Sequence, residues 1–453
     1  MKTYSIKNAI WASALLLSQV FISCEDYFLN AESPQYISDA SSIIDAQSAE
    51  TALLGVYSGL QQGNYYGGGG FLIATNLSGG DLIWVGTLNF QNTFVTHTYR
   101  ADNGTLDSAW EAIHQVVNRA NQVIDKVPKL DIVGLSDETK NKWLGEAYTI
   151  RALTHFDLAR AWGNVPIVTT PTTDPVSASD VKQSTQQEVY AHVLTDLDFA
   201  EDIVSKTLDR NRVNIYTVYA FKARVYLYTE QWEKAEEYAS KIIESPNFDL
   251  VGWDNILAAK NTKESVWELA FSTSDRSSHY SNWSSDSYRN TLAPSKILFN
   301  LLHDSNIGGE RSKLVKDVST DTKLDYYVQL LYWRSNNDNP TYIFRLAEQY
   351  LIRAEARAKK TAPDLIGALK DLNAVQTRAQ ARLSEASSIS QIVLDIENER
   401  RVEFALEAQR WFDLVRTKKV ESVLGVTDTH KWIFPLPYND VQTDHNLNQN
   451  EGY

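Results

Sequence analysis

The sequence predicts a mainly helical protein built on paired helices, and two observations carry that prediction. Apolar residues recur every three to four positions through long stretches, and alanines occupy matched positions in two later stretches. We therefore expect an all-α scaffold with tetratricopeptide-like helix pairs at about 45–62, 106–246 and 345–416. Two loop-rich segments, about 63–103 and 271–342, are expected to be insertions that face a ligand.

The first helices are indicated by apolar spacing followed by residues that stop a helix. Residues 49–60 form one such pattern, and Gly63 ends it. A second pattern runs over 106–127 and stops at Pro128. A third, over 142–162, stops at the glycine that follows it. Each pattern predicts a helix with one buried face.

Two later stretches predict helical hairpins of the tetratricopeptide kind. Ala223 precedes Ala235 by twelve residues, and Ala356 precedes Ala368 by the same interval. Small residues at these positions let two antiparallel helices approach closely, which is what the repeat pattern requires. Lys222 departs from the pattern, because that position usually carries an apolar or aromatic residue.

The N-terminal residues have the form of a secretion signal. Lys2 and Lys7 precede a mostly apolar run over 10–22, and Cys24 follows it. Cleavage before this cysteine, the only one in the chain, predicts a signal peptide over residues 1–23 and a lipid on the thiol and amine of the new N-terminus. A secretory signal followed by a chance cysteine is the alternative.

We expect residues 24–453 to form one body, because no low-complexity linker interrupts the chain. The apolar run at the N-terminus is shorter than the ~20 residues that a membrane span needs, so lipid on Cys24 is the expected anchor. With Cys24 lipidated, no disulfide can form. The formal net charge of −14 repels phosphate backbones, which argues against nucleic acid as a partner.

Enzymatic and metal-binding motifs are missing from the sequence. It contains no Gly-x-Ser-x-Gly nucleophile elbow, no His-Glu-x-x-His zinc motif, and no marked pair of carboxylates for glycoside hydrolysis. Asp317, Asp321 and Asp325 repeat every four residues, which favours a helix face over a calcium loop. We expect no catalytic residues, no cofactor and no metal. A bound structural calcium ion is the one alternative that the sequence leaves.

Motifs in both halves of the chain resemble the SusD/RagB family. In the C-terminal half these are Glu-Arg-Arg-Val-Glu-Phe at 399–404, Gln-Arg-Trp-Phe-Asp-Leu-Val-Arg at 409–416 and Phe-Pro-Leu-Pro at 434–437. The stretches 146–166 and 345–356 are similar to further family motifs. Ala408 is a departure, because the family usually has glycine before Gln-Arg-Trp.

The resemblance implies a fold, a location and a partner. Members of the family are surface lipoproteins of Gram-negative bacteria with almost wholly helical folds built on four tetratricopeptide-type pairs. They capture nutrients, usually oligosaccharides and in some members peptides, for a SusC-like TonB-dependent outer-membrane transporter. The implied location is the outer membrane, lipid-anchored, facing outward. Glu25 and Asp26 after the cysteine resemble the acidic export tag of such lipoproteins.

Aromatic residues in the polar loops are the candidate ligand contacts. The C–H faces of sugar rings stack on aromatic planes, while sugar hydroxyls need polar side chains around them. The stacking candidates are Trp84, Tyr280, Trp283, Tyr288 and Trp333, and the polar candidates are Asp81, Asn89, Asn282, Asp286 and Arg289. The alternative is that each aromatic packs beneath its own loop.

The ligand class stays open at this point. We expect a neutral or amino sugar, with uronates and peptides as alternatives, since a local cationic patch is available for acidic glycans. Its members would be Arg276, Arg289, Arg334 and Arg345. A different class of function is a helical-repeat scaffold that binds a peptide in a groove. The aromatic residues in the loops argue against this alternative, because groove binding does not need them.

The charged and aromatic residues of the C-terminal motifs are expected to be structural. Their helical spacing predicts a solvated, ion-paired face that holds helices and the tail together: Glu399, Arg400, Glu403, Arg410, Asp413 and Arg416. Three aromatics are expected in the core: Trp411, Phe412 and Trp432.

Overall fold

The computed structural model describes residues 43–172, 181–284 and 291–453. Eight of the residues singled out from the sequence lie outside these ranges: Lys2, Lys7, Cys24, Glu25, Asp26, Asp286, Tyr288 and Arg289. Residues 45–453 form one compact unit.

The N-terminal half is helical, with short strands between helices. Its elements in chain order are α1 (Ala46–Leu60), α2 (Gly70–Ser78), β1 (Leu82–Trp84), α3 (Asn89–Thr96), α4 (Gly104–Lys126), α5 (Asp137–Trp162), β2 (Val165–Pro166), β3 (Gln183–Ser184), α6 (Gln186–Ile203), α7 (Ile215–Tyr228) and α8 (Trp232–Ile243).

The C-terminal half contains more strands before it returns to helices. Its elements are α9 (Trp253–Ala258), β4 (Ser265–Leu269), α10 (His279–Trp283), β5 (Leu292–Pro294), α11 (Lys296–His303), β6 (Val315–Asp317), β7 (Tyr327–Gln329), β8 (Thr341–Arg345), α12 (Leu346–Lys359), α13 (Leu365–Arg378), α14 (Ile389–Glu403), α15 (Arg410–Arg416), α16 (Val420–Leu424) and α17 (Tyr438–Thr443). The mainly helical prediction is confirmed.

The helix boundaries follow from side chains that satisfy the free N–H groups of the first turn. Asp45 caps α1 and accepts from the Ser48 N–H at 2.7 Å, while the Ser48 hydroxyl accepts from the Asp45 N–H. Thr185 and Glu188 form the same reciprocal pair at the start of α6. Gly163 ends α5 with a φ of 77°, a conformation that glycine adopts at little cost.

The two predicted helical hairpins are present. Ala223 and Ala235 are fully buried where α7 meets α8, and Ala368 is fully buried on α13, which packs against α12. Ala356 of α12 joins the α7–α8 core, so the two hairpins share one apolar interface. Lys222 fits this core because its buried ammonium pairs with Asp198 at 2.6 Å and with Glu201.

Short antiparallel strand pairs tie distant segments together. The pairs are β1 with β5, β2 with β3, β4 with β8, and β6 with β7. All residues of β4 and β8 are buried, and Trp267 lies opposite Phe344. In the β1–β5 pair Trp84 lies opposite Leu292, which joins the two loop-rich segments of the chain.

The structure differs from the sequence-based expectation in two of the loop segments. The segment 63–103 contains α2, whose residues are all buried, and α3. Asp317, Asp321 and Asp325 lie on a β-turn-β segment rather than on a helix face, because Asp317 belongs to β6 and pairs with Tyr327 of β7. Within the described residues, no group of carboxylates or histidines is arranged to hold a metal ion.

The charged residues of the C-terminal motifs are ion-paired but not solvated, so that part of the prediction is wrong. Glu403 is fully buried and accepts from Arg345 at 2.8 Å and from Arg311 at 2.8 Å. Glu399 and Arg400 are also buried. Spacing of 3.6 residues puts charges on one helix face whether that face meets water or other helices.

Arg345 is the centre of this buried network, which removes it from the expected cationic patch. Its guanidinium contacts Glu264 at 2.6 Å and Glu407 at 2.6 Å, in addition to Glu403. Burial alone would raise the pKa of Glu403, but the guanidinium groups of Arg378, Arg311 and Arg345 hold it down at about 2. The network joins Glu264, which directly precedes β4, with β8 and α14, and these segments are far apart in the sequence.

The aromatic residues of the C-terminal motifs are largely core residues, as predicted. Trp411 and Phe412 are buried, whereas Trp432 is only half-buried. The tail is held by backbone and side-chain hydrogen bonds: the Phe434 N–H donates to the Ala161 carbonyl at 2.8 Å, and the Asn450 amide donates to the Trp162 carbonyl at 2.8 Å.

Ala408 has a left-handed backbone conformation, with a φ of 58°. Its N–H donates to the Asn76 side chain at 3.2 Å, which ties the loop before α15 to α2. This conformation favours glycine, and the departure from the family pattern noted above therefore carries local strain.

Candidate functional site

Four loop segments pack on one another to form what we call the loop surface, residues 63–70, 81–90, 271–284 and 331–341. Thr291 links two of them, because its N–H donates to the Asn282 carbonyl at 2.9 Å and its carbonyl accepts from the Val85 N–H at 2.8 Å. A second link is Thr341, whose hydroxyl donates to the Tyr66 carbonyl at 3.0 Å and so joins the segments 331–341 and 63–70. Segments distant in the sequence are thereby held in contact with one another.

The glycine run at 67–70 is required by close backbone contact and not by a phosphate ligand. The Gly67 carbonyl accepts from the Ser278 N–H at 2.6 Å, and the Gly68 carbonyl accepts from two side chains of α10. Gly68 has a φ of 104°, and a Cβ there would lie 2.6 Å from the His279 nitrogen. A larger residue at Gly68 would push the segment 63–70 away from α10.

Trp283 does not present a ring face to a ligand in this structure. It is 1% exposed, and its indole N–H donates to the Gly68 carbonyl at 2.9 Å. Its ring packs edge-on against Tyr332 at 5.3 Å and His279 at 5.8 Å. The stacking role expected for Trp283 is therefore replaced by a packing role beneath the loops.

His279 holds the loop surface together from below. Its ring stacks on Tyr332, with centroids 3.8 Å apart, and its Nε2 lies 2.7 Å from the Thr341 hydroxyl. Burial lowers the pKa of His279 to about 3, because charge on the imidazole is poorly solvated there. The histidine is neutral at physiological pH, and its structural role depends on that state.

Trp333 has the geometry of a stacking platform. Its side chain is 48% exposed, yet its position is fixed because the indole N–H donates to the Leu257 carbonyl at 2.9 Å. The Arg334 guanidinium lies 5.4 Å from the Trp333 ring and donates to the Ala258 carbonyl at 2.6 Å. An exposed aromatic ring held by its edge offers a face to a ligand without losing side-chain freedom on binding.

Trp84 and Asn89 lie on the β1–α3 segment. Trp84 is half-buried in the β1–β5 pair, where Gly86 leaves room for its ring: a Cβ on Gly86 would lie 2.5 Å from the indole. Asn89 is exposed as the first residue of α3. Phe90, which is 43% exposed, was not among the residues selected from the sequence; its place beside Asn89 in an aromatic loop was the available signal.

Tyr280 and Asn282 lie on α10, beside the 331–341 segment. Tyr280 is half-buried, and its neighbour Ser281 donates its N–H to the Asn337 side chain at 3.3 Å. Asn282 is also half-buried, and its amide donates to the Gly68 carbonyl at 3.2 Å. Asn282 is thus partly committed to the fold, while Tyr280 keeps part of its ring at the surface.

Asp81 is committed to an ion pair and is not free for a ligand. It is 6% exposed, and its carboxylate contacts the Arg401 guanidinium at 2.5 Å. Arg410 lies 3.9 Å away on its other oxygen. This carboxylate attaches the loop surface to α14 and α15, which the sequence did not reveal because the partners are more than 300 residues distant.

The loop surface therefore combines exposed aromatic rings with a polar surround. Among its described carboxylates, Asp81 and Asp338 are paired with cations, the latter with Lys260 at 2.8 Å. Of the expected cationic patch, Arg276 is exposed and Arg334 half-buried at this surface. Such a surface suits a ligand with both apolar faces and hydroxyl groups.

Comparison with known proteins identifies the family of this chain. A family model described as starch-binding and associating with the outer membrane matches residues 32–227, and the SusD family model matches residues 316–431. The chain belongs to the SusD family. The motifs that resembled this family in the sequence are thereby confirmed.

Individual relatives of the SusD family are similar over most of the chain. A SusD-like protein of Bacteroides ovatus is 29% identical over 71% of this chain and 67% of its own length. The structure of a SusD superfamily protein from Bacteroides thetaiotaomicron has a TM-score of 0.78 at 22% identity, covering 89% of this chain and 99% of that one. A laminarin-binding SusD-like protein has a TM-score of 0.77 at 22% identity, covering 91% and 100%.

The family description places SusD proteins at the outer membrane with starch as a ligand. In the described ranges, none of the helices is both long and apolar enough to cross a membrane.

Proposed function

We propose that this SusD-family protein is a surface glycan-binding lipoprotein that captures an oligosaccharide on the loop surface. The observation that carries the proposal is Trp333, an exposed indole fixed by its own hydrogen bond to Leu257. The family description and the laminarin-binding relative of the same fold support a carbohydrate as the ligand. Trp84, Tyr280 and Phe90 are the further aromatic contacts, and Asn89 is a polar one.

The physical basis is the match between a sugar and this type of surface. Stacking removes apolar C–H faces from water, while hydroxyls exchange water for side-chain amides and guanidinium groups at the rim. Because the rings are held in place before binding, little side-chain entropy is lost. We expect modest affinity, which suits a protein that must release its ligand to a channel.

The proposal includes delivery of the ligand to a SusC-like TonB-dependent transporter. A lipid-anchored binder has no means of importing its ligand, so capture alone would bring no nutrient into the cell. We propose that lipid on Cys24 holds the body at the outer face of the outer membrane and that the body closes over the transporter. A lid that stays docked implies a large and persistent interface.

We propose no catalytic role for this protein. Glycoside hydrolysis needs two carboxylates placed on either side of the bond. Of the three carboxylates on the described loop surface, Asp81 and Asp338 are ion-paired with Arg401 and Lys260, and only Asp275 is an exposed acid, so the described residues do not supply the two free carboxylates that this chemistry needs.

A glycan array tests the ligand class. Full-length protein, labelled on its surface, is expected to bind one group of oligosaccharides, and the Trp333→Ala variant is expected to lose most of that signal. Binding of peptides with no signal on any glycan would instead support peptide uptake. Absence of both, together with capture of a folded protein partner, would support the helical-repeat scaffold.

Purification in mild detergent tests the transporter. A tag on this chain should co-isolate a barrel of the TonB-dependent type from the outer membrane. Recovery of this protein alone, under conditions that preserve other outer-membrane complexes, would contradict the lid model and leave a free-standing glycan binder.

A further inference from the structure

A cavity of about 690 Å³ lies outside the loop surface, between the C-terminal tail and the residues that follow α3. Its wall includes Tyr438, Tyr453, Lys431, Arg100 and Asp102. The Tyr438 N–H donates to the Ala101 carbonyl at 2.9 Å, which closes the wall between the tail and the α3–α4 connection. The cavity volume is in the range of small-ligand sites.

The two tyrosines give this cavity aromatic walls. Tyr438 is 53% exposed, so part of its side chain is available to a ligand. Tyr453 is half-buried and fixed, because its hydroxyl donates to the Ile433 carbonyl at 2.8 Å and its ring stacks on Tyr99 at 6.2 Å. One ring is thus free to stack on a ligand and the other is a rigid wall.

Lys431 supplies a cation that lacks a carboxylate partner among the described residues. Its Nζ lies 3.7 Å from the centre of the Tyr453 ring. Burial lowers the pKa of Lys431, with the nearby Asp428 acting against this. Arg100, by contrast, pairs with Asp102 at 3.4 Å, and both of these side chains are largely exposed. A partly desolvated ammonium gains from an anion that enters the cavity.

We propose that this cavity is a second sugar subsite that selects an anionic ring, with Tyr438 stacking on the ring and Lys431 binding its charged group. The inference rests on the proposed function, since it assumes that the ligand is an oligosaccharide. It narrows the ligand class from glycans in general to carboxylated or sulfated glycans. In a chain with a net charge of −14, a local cation at an aromatic cavity is needed for such a ligand to bind.

Titration calorimetry on the full-length protein tests the subsite with three probes: trigalacturonate, a sulfated galactan oligosaccharide and a neutral galactan oligosaccharide. We expect one of the anionic probes to bind at least about tenfold more tightly than the neutral one, which corresponds to ~1.4 kcal/mol. The anionic probe that binds identifies carboxylate or sulfate as the recognised group. The preference should weaken as salt is raised.

Matched variants assign the preference to the cavity. Lys431→Met should weaken the anionic probe about tenfold, the scale of one charge-assisted hydrogen bond, and leave the neutral probe unchanged. Lys316→Met, which removes an exposed lysine on β6, is the control and should change neither. Tyr438→Ala should weaken the anionic probe without altering thermal stability.

Two outcomes would overturn the subsite. One is equal affinity for the anionic and neutral probes. The other is a Lys431→Met variant that still binds the anionic probe more tightly than the neutral one by the wild-type ratio. This result would count against the subsite even if the variant had a lower thermal stability. Neutral binding that depends on Trp333 would leave the proposed function standing in either case, so failure of the subsite is distinguishable from failure of the loop surface.

Discussion

Trp283 and Trp333 differ in what surrounds each indole, and their variants should differ accordingly. Trp283→Ala should lower the free energy of unfolding by about 3–5 kcal/mol, because it opens a cavity beneath the loops and leaves the Gly68 carbonyl with only the Asn282 amide as a donor. Trp333→Ala should cost about 1 kcal/mol or less, since the ring is half in water. Denaturant unfolding of both variants measures the difference. Equal losses would contradict the placement of Trp283 in the core.

His279 makes the stability of the loop surface depend on pH. Burial lowers the pKa of His279 to about 3 in the folded protein. Below pH 6.5 this histidine is therefore protonated in the unfolded chain, while it stays neutral in the folded chain. The contribution of His279 to the free energy of unfolding is therefore fully present above pH 6.5, and it decreases as the pH drops towards 3. At about 1.4 kcal/mol per pH unit, His279 should account for about 2 kcal/mol of the loss between pH 7 and pH 5.

Comparison of His279→Gln with wild type at both pH values isolates this contribution. The variant is less stable at pH 7 but should lose about 2 kcal/mol less on acidification. His303→Gln, at an exposed histidine, is the control and should follow wild type. Parallel curves for His279→Gln and wild type would contradict a neutral, buried His279. The informative quantity is the difference between variant and wild type, because the total loss of stability on acidification includes other histidines. Burial also lowers the pKa of His97, His114, His155 and His192.

At the scale of elements, the buried ion network fixes how α14 meets the strands and helices around it. Arg311→Met should lower the free energy of unfolding by about 3–5 kcal/mol, because Glu399 and Glu403 would lose a partner while they stay buried. Arg276→Met removes an exposed arginine and should change stability by less than about 1 kcal/mol. Thermal unfolding of the two variants at pH 7 makes the comparison. A mild effect of Arg311→Met would mean that water reaches these glutamates.

The helix pairs could be predicted because local pattern decides them. Apolar spacing and the alanines at 223, 235, 356 and 368 indicated the hairpins, and these alanines are fully buried. Whether an aromatic residue of the loops is buried or exposed is decided by residues far away in the sequence. Trp283 is buried because Gly68 and Tyr332, both far away in the sequence, close over it.

The charged motifs show the same limit. The spacing of Glu399 and Glu403 is the same on a solvated face and on a buried one, and only the arrival of Arg311 and Arg345 from other segments decides between them. The sequence suggests Asp81 as a ligand contact for a similar reason, because no residue near it in the sequence indicates that it pairs with Arg401.

At the scale of the whole molecule, the proposed lipid on Cys24 would decide at which membrane the body works. Cys24→Ala should leave the protein soluble, or held at the inner membrane with its signal uncleaved, because lipid on that cysteine is the proposed attachment. Fractionation of cells that express wild type and variant measures the distribution. If the variant still fractionates with the outer membrane at wild-type levels, binding to a partner holds it there and the lipid is dispensable.

Capture of an oligosaccharide on the loop surface is the central claim, and titration calorimetry of aromatic variants tests it most directly. With the oligosaccharide that the array selects, Trp333→Ala should weaken binding at least about tenfold, since stacking on one ring contributes at least ~1 kcal/mol. Phe199→Ala removes a 47% exposed aromatic on α6, away from the loops, and should bind as wild type does. Wild-type affinity in both Trp333→Ala and Trp84→Ala would contradict the account.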